Sequence, residues 1–155
     1  MDLPNTAILS ARWSFRAHCS SGSVLANAVC ESEGVTTVGT SEGALLAYRE
    51  GTASPLELSR FETISVLLPL SPTELCVVCV EGTVSIVELK PEELVLAWKS
   101  AGPTNCLCGA TYGDLVMLGS LDRRADVLQQ VKSNGSGNCL VRRQQLSVPG
   151  QVYST

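Results

Sequence analysis

The strongest constraint in this 155-residue sequence is one strand-turn-strand pattern that occurs three times. The run Leu75-Cys-Val-Val-Cys-Val80, the acidic-glycine turn Glu81-Gly82 and the stretch from Thr83 to Leu89 read as two strands of a tight antiparallel pair. The same order appears earlier as Val35 to Thr40, Ser41-Glu42-Gly43 and Ala44 to Tyr48. It appears again as Leu115 to Ser120, Leu121 to Arg124 and Ala125 to Val131. The strand starts Val35, Leu75 and Leu115 stand 40 residues apart, a period that marks a repeat architecture.

Each pair has a strand before it, at Val24 to Cys30, Ile64 to Leu70 and Asn105 to Ala110. A fourth follows in each unit, at Leu56 to Phe61, Glu93 to Lys99 and Cys139 to Leu146, and Ala7 to Phe15 reads as a strand ahead of the first unit. Four short strands recurring at this spacing predict an all-β fold: a β-propeller portion of about three four-stranded blades. Residues 1–155 form a single partial propeller, with units at approximately 7–55, 56–92 and 93–138 and a further strand over 139–147. Neighbouring blades covering both faces of an inner strand explain a continuous apolar run such as Leu75 to Val80. Gly39, Cys79 and Gly119 fall at matching positions, where stacking leaves little room, and Ser133 to Asn138 suits a hairpin tip.

Composition narrows the function. With 45% hydrophobic and 17% charged residues the chain should fold and be soluble, and a net charge of -4 lacks the clustered cations that phosphate binding requires. Met1 to Asn5 has no basic segment leading into an apolar core, and Ile64 to Val80 is broken by Pro69, Pro72 and Glu74. These features predict an intracellular protein, cytoplasmic or nuclear, whose seven cysteines are reduced and serve as small core residues. Cys76 and Cys79 are three apart on a strand and point to opposite faces. Cys106 and Cys108 share a face, and the only histidine, His18, adjoins Cys19 in extended chain. None of these spacings forms a metal site or a nucleophile-base pair, and no phosphate loop is present, so neither cofactor nor metal is expected. Glu42, Glu81 and Asp122 recur at turns, where fastening the turn is their simplest role.

Gly39-Thr-Ser-Glu-Gly-Ala-Leu-Leu-Ala-Tyr48 and Val80 to Leu89 resemble the closing half of a WD40 repeat, as Gly119 to Leu128 does more loosely. No Gly-His pair opens a unit and no Trp-Asp closes one; Tyr48-Arg49, Glu88-Leu89 and Leu128-Gln129 stand at the closing positions instead. The resemblance covers about residues 7 to 147 and is to a degenerate member of that family. Gly39 to Tyr48 followed by Ile64 to Leu89 is also similar to the citron-homology propellers of vesicle-tethering subunits. Both likenesses imply a non-catalytic scaffold that mediates protein-protein interactions within a multi-subunit assembly. An enzyme or a nucleic-acid-binding subunit is the contrasting class.

Three blades do not close a propeller ring, so further blades are expected from the same gene, from a partner chain, or from a homodimer. Val148 to Thr155 reads as the approach to another repeat. Arg123 and Arg124, read as exposed at a turn, and Trp98 are the candidate partner-binding residues. Trp13 and Tyr48 are further aromatic candidates, with filling the space between blades as the alternative for all three aromatics.

Overall fold

A computed structural model describes residues 18–19, 22–23, 26–135, 137–150 and 152. The predicted strands at Ala7 to Phe15, and Trp13 with them, lie outside the described residues. A short hairpin pairs β1 (His18–Cys19) with β2 (Gly22–Ser23). Three four-stranded antiparallel sheets follow, each built from strands consecutive in sequence.

Sheet 1 comprises β3 (Ala26–Ser32), β4 (Val35–Thr40), β5 (Ala44–Arg49) and β6 (Leu56–Ser59). Sheet 2 comprises β7 (Ile64–Ser71), β8 (Glu74–Cys79), β9 (Thr83–Leu89) and β10 (Leu94–Ala101). Sheet 3 comprises β11 (Cys106–Tyr112), β12 (Leu115–Ser120), β13 (Arg124–Ser133) and β14 (Gly137–Ser147). The first strands β3, β7 and β11 lie side by side, with β7 in the middle, so the sheets stack in chain order like propeller blades. This is the all-β, β-propeller-like fold of about three blades that the repeat predicts.

Unit boundaries at 55/56 and 92/93 separate strands that in fact belong together. β6 pairs with β5, and β10 pairs with β9, so each outer strand completes the sheet before it. The links 50–55 and 90–93 return the chain to the strand it has just left, and backbone pairing with that strand sets the membership.

The period is also less regular than 40. The second strands close opposite the first residue of each inner strand: Thr40 opposite Ala26, Cys79 opposite Ile64 and Ser120 opposite Cys106. Those closing residues are 39 and 41 apart, and β8 begins at Glu74 rather than Leu75. Glu74 tolerates its strand position because its carboxylate accepts hydrogen bonds from Gln130 Nε2 at 3.1 Å and from Asn138 Nδ2 at 2.7 Å. Counting from the apolar run therefore shifts the register by one. The structurally matching trio is Gly39, Val78 and Gly119, not Gly39, Cys79 and Gly119.

Packing follows the alternation of the strands. Leu75, Val77, Cys79 and Val87 of sheet 2 meet Val35, Leu45 and Ala47 of sheet 1. From its other face Cys76, Val78, Val84 and Ile86 meet Cys106, Val116 and Leu118 of sheet 3. The middle sheet is thus covered on both sides, which is why β8 reads as an unbroken apolar run. Cys76 and Cys79 enter different clusters, as their spacing predicts. Val38, Ala44 and Leu46 are buried on the opposite face of sheet 1, with Tyr48 packed against them.

Each inner strand carries a bulge after its first residue, at Ala26/Ala28, Ile64/Val66 and Cys106/Cys108. The last of these corrects a same-face expectation. Opposite Ser120 and Gly119 respectively, Cys106 faces sheet 2 and Cys108 faces away from it, because the extra residue Leu107 reverses the alternation.

The turns from β4 to β5, β8 to β9 and β12 to β13 depend on one backbone conformation. Gly43 (φ 83°) and Gly82 (φ 105°) take it in sheets 1 and 2, and a side chain on Gly43 would overlap the Phe61 carbonyl. In sheet 3 the same position is Arg123, with φ 57°.

A candidate partner-binding cleft

The outer strand β10 first points Leu94 and Leu96 into the cluster against sheet 1. A bulge between Leu96 and Trp98 then reverses the alternation and places Trp98 opposite Ile86, on the face toward sheet 3. Without that bulge the indole would not reach this side. On sheet 3, Leu128 and Leu140 face Trp98 across a wedge where the two sheets splay apart. The result is a cleft of about 260 Å³ walled by Val84, Trp98, Leu128 and Leu140, with Asp126 and Arg142 as its charged groups.

Asp126 is 1% exposed at the base of the cleft. Both carboxylate oxygens accept from Arg124, Oδ1 from Nε and Oδ2 from Nη2, each at 2.7 Å. Residues two apart on a strand share a face, so the pair is a direct product of the Arg-Ala-Asp sequence. With its amide oxygen turned inward, Gln145 opposite Asp126 also accepts from Arg124 Nη1 at 3.2 Å. The Asp126 hydrogen bonds hold the Arg124 guanidinium still more firmly protonated than usual. Removing the cation would leave a carboxylate in an apolar wedge, so Arg124 is first of all the counter-ion of Asp126.

The three candidate residues therefore part company. Trp98 is half-buried, packed on the core and forming a wall of the cleft. Arg124 opens β13 and is half-buried in its ion pair, which corrects its reading as an exposed turn cation; the turn ends one residue earlier. Arg123 is exposed on the turn and does not line the cleft. Sequence reasoning missed Asp126, Arg142, Leu128 and Leu140. The Arg124-Asp126 spacing on a strand is the signal that could have pointed to the pair.

Elsewhere, two of the three recurring turn acids, Glu81 and Asp122, fasten the entry to the inner strand to its own sheet, whereas Glu42 accepts from the neighbouring Ser41 Oγ at 3.3 Å. Asp122 accepts from Thr104 Oγ1 at 2.6 Å and Asn105 Nδ2 at 3.1 Å, which together lower its pKa. Glu81 accepts from the Thr63 N–H at 3.1 Å. Burial pushes the Cys76 and Cys106 thiols up to about 12 and raises those of Cys30, Cys79 and Cys108 as well, the opposite of what activates a thiol nucleophile. Among the described residues no group of three His, Cys, Asp or Glu side chains could hold a metal ion, and no helix is long and apolar enough to cross a membrane.

No protein-family model matches the chain, and no curated protein sequence matches it. Solved structures do resemble it. Sqt1 of Saccharomyces cerevisiae, a WD40 protein, superimposes with a TM-score of 0.69 at 13% identity, over 88% of this chain and 38% of that one. The computationally designed Ika8 gives 0.63 at 14% identity, over 86% of this chain and 39% of that one. The designed Ika4 gives 0.63 at 14% identity, covering 84% of this chain and 78% of that one. The chain thus spans less than two-fifths of the length of Sqt1 and of Ika8. At these identities the likeness establishes the fold alone.

Proposed function

We propose that this chain is a non-catalytic scaffold that holds other protein subunits in an assembly, and that the cleft between sheets 2 and 3 is a contact point for a partner. The observation that carries the reading is the bulge that turns Trp98 out of the alternation of β10 and into the cleft. A volume of about 260 Å³ lies below the range typical of cofactor and small-molecule pockets and suits a single side chain of a docking segment. Arg142 is exposed at the cleft and charges its mouth positively, so the fitting segment presents an aliphatic or aromatic residue beside a carboxylate. Arg123, exposed on the turn outside the cleft, is held in a backbone conformation that glycine would take more easily. Such strain concentrates at functional positions. An intracellular setting suits this reading.

The experiment is site-specific photo-crosslinking in cells. A photoreactive residue at Ser100, on the cleft, is compared with one at the exposed Glu92, which does not line it. A defined subunit should be captured from position 100 and not from 92, and Trp98→Ala should abolish that capture while the variant still unfolds in one cooperative transition, at a lower midpoint because the indole packs on the core. Identical capture from both positions, or capture indifferent to Trp98→Ala, would overturn the assignment.

A further inference from the structure

The last described residue, Val152, sits where the first residue of an inner strand belongs. A side chain on Gly39 of β4 would overlap Cγ2 of Ile64, the residue that opens the inner strand of the next sheet. A side chain on Gly119, the matching position of β12, would overlap Cγ1 of Val152 in the same way. Between sheets 2 and 3 the volumes are exchanged: the larger Val78 stands at the glycine position and the smaller Cys106 opens the next inner strand. The three seams thus read Gly39 with Ile64, Val78 with Cys106 and Gly119 with Val152. Val152 is further fixed by its N–H, which donates to the Ser120 carbonyl at 3.2 Å, and by the Cys108 thiol, which donates to its carbonyl at 3.7 Å.

The face around it is unfinished. Thr37 and Ala47 in sheet 1 and Cys76 and Ile86 in sheet 2 are all buried beneath the following sheet. Their register equivalents in sheet 3, Met117 and Val127, are only half-buried, and on the same face Tyr112 is 79% and Leu146 41% exposed. A contiguous apolar sheet face of this kind calls for a cover.

We infer that Val152 begins the inner strand of a fourth sheet, completed by polypeptide following Thr155, and that this sheet stacks on the outward face of sheet 3. The outward face of sheet 3 has the make-up of the face that sheet 1 turns toward sheet 2: Cys108, Ala110, Gly119 and Val127 stand where Ala28, Cys30, Gly39 and Ala47 do. The latter set accepts a sheet led by a large aliphatic residue, Ile64, and Val152 supplies the same kind of lead. A second copy stacking through sheet 1 is disfavoured, because the complementary face there is already covered over β4 and β5, with Val38 and Leu46 fully buried and only the edge strand β3 open at Val29. The inference stands apart from the cleft between sheets 2 and 3 and does not depend on it.

Two measurements test it on the native polypeptide. Intact mass of the endogenous protein, isolated with an antibody against residues 26–147, should exceed 16.4 kDa by at least one repeat, about 4 kDa. A native polypeptide of 16.4 kDa would overturn the proposal, whether it pairs with itself or with another protein. In the native-length polypeptide, hydrogen exchange should show residues 115–119 and 125–129 strongly protected, and Val152→Asp should selectively raise exchange there while sheet 1 is unchanged. Equal exchange in the two proteins, or loss of protection throughout, would refute a fourth sheet seated through Val152.

Discussion

The traded volumes at the sheet seams can be tested where both partners are fully buried, at Val78 and Cys106. Val78→Gly removes a side chain with no exposure and places glycine in a strand, which together cost about 3 kcal/mol. Cys106→Ile forces extra carbon into the close-packed cluster between sheets 2 and 3, costing about 2 kcal/mol. If the changes were independent, the double variant would lose about 5 kcal/mol, enough to unfold many domains. The structure argues against independence, because the double variant reproduces the Gly39 and Ile64 pair already accommodated between sheets 1 and 2. The isoleucine would occupy the space vacated by valine, leaving mainly the backbone cost of glycine and imperfect fit, about 2 kcal/mol. The expected coupling is therefore about 3 kcal/mol in favour of the pair, near the upper end for contacting residues. Urea unfolding of the four proteins, analysed with a common slope, measures it directly. Additivity within about 0.5 kcal/mol would show that these positions do not share one space and would remove the basis for treating Val152 as their counterpart.

Three further outcomes follow from the geometry. Arg123→Gly should raise stability by about 0.5–1 kcal/mol, because glycine adopts the observed positive φ without a Cβ penalty; an unchanged or lower urea midpoint would refute the strain. Leu75→Asp should abolish the cooperative unfolding transition by placing an unpaired carboxylate between sheets 1 and 2, and a wild-type melting curve would contradict the packing. The thiols of Cys76 and Cys106 ionise near 9 when unfolded and near 12 when folded, so the unfolded chain loses its protons first. Stability is then intact below pH 9 and falls between 9 and 12 by about 1.4 kcal/mol per pH unit for each thiol. Urea midpoints at pH 8 and 10 should show the fall, and Cys76→Val should reduce it; an equal fall without Cys76 would place the titration elsewhere.

The sequence carried the fold chiefly through spacing. Strand order, the turns at Gly43 and Gly82 and the assignment of Cys76 and Cys79 to opposite faces all depend on local alternation, which a single chain displays directly. What it concealed were the bulges. One extra residue at Leu107 reverses Cys106 relative to Cys108, and one at Ala97 carries Trp98 across the sheet. Neither residue is a glycine or proline that would announce the irregularity, since the bulge is fixed by what must pair on either side of it. Sheet membership was hidden for a related reason: β6 and β10 are joined to their partners by links no shorter than those to the next sheet, so spacing alone does not choose between them.

The same irregularity explains why the candidate site was only partly legible. Trp98 could be singled out by residue type, yet its face is set by the bulge, while Asp126 lies at the base of the cleft only because sheet 3 stacks on sheet 2 and brings β13 and β14 to the side of β10. The Arg124 cation looked available beside Arg123, but its partner sits two residues along the same strand face and is almost wholly excluded from water. A surface ion pair contributes little, whereas loss of one member of a buried pair leaves an unsatisfied charge. The two neighbouring arginines are thereby separated into different tasks: Arg124 holds the base of the cleft together, and Arg123 remains the one whose charge faces outward. Of the exposed cations, Arg142 alone lines the cleft, while Arg123 stands on the turn outside it.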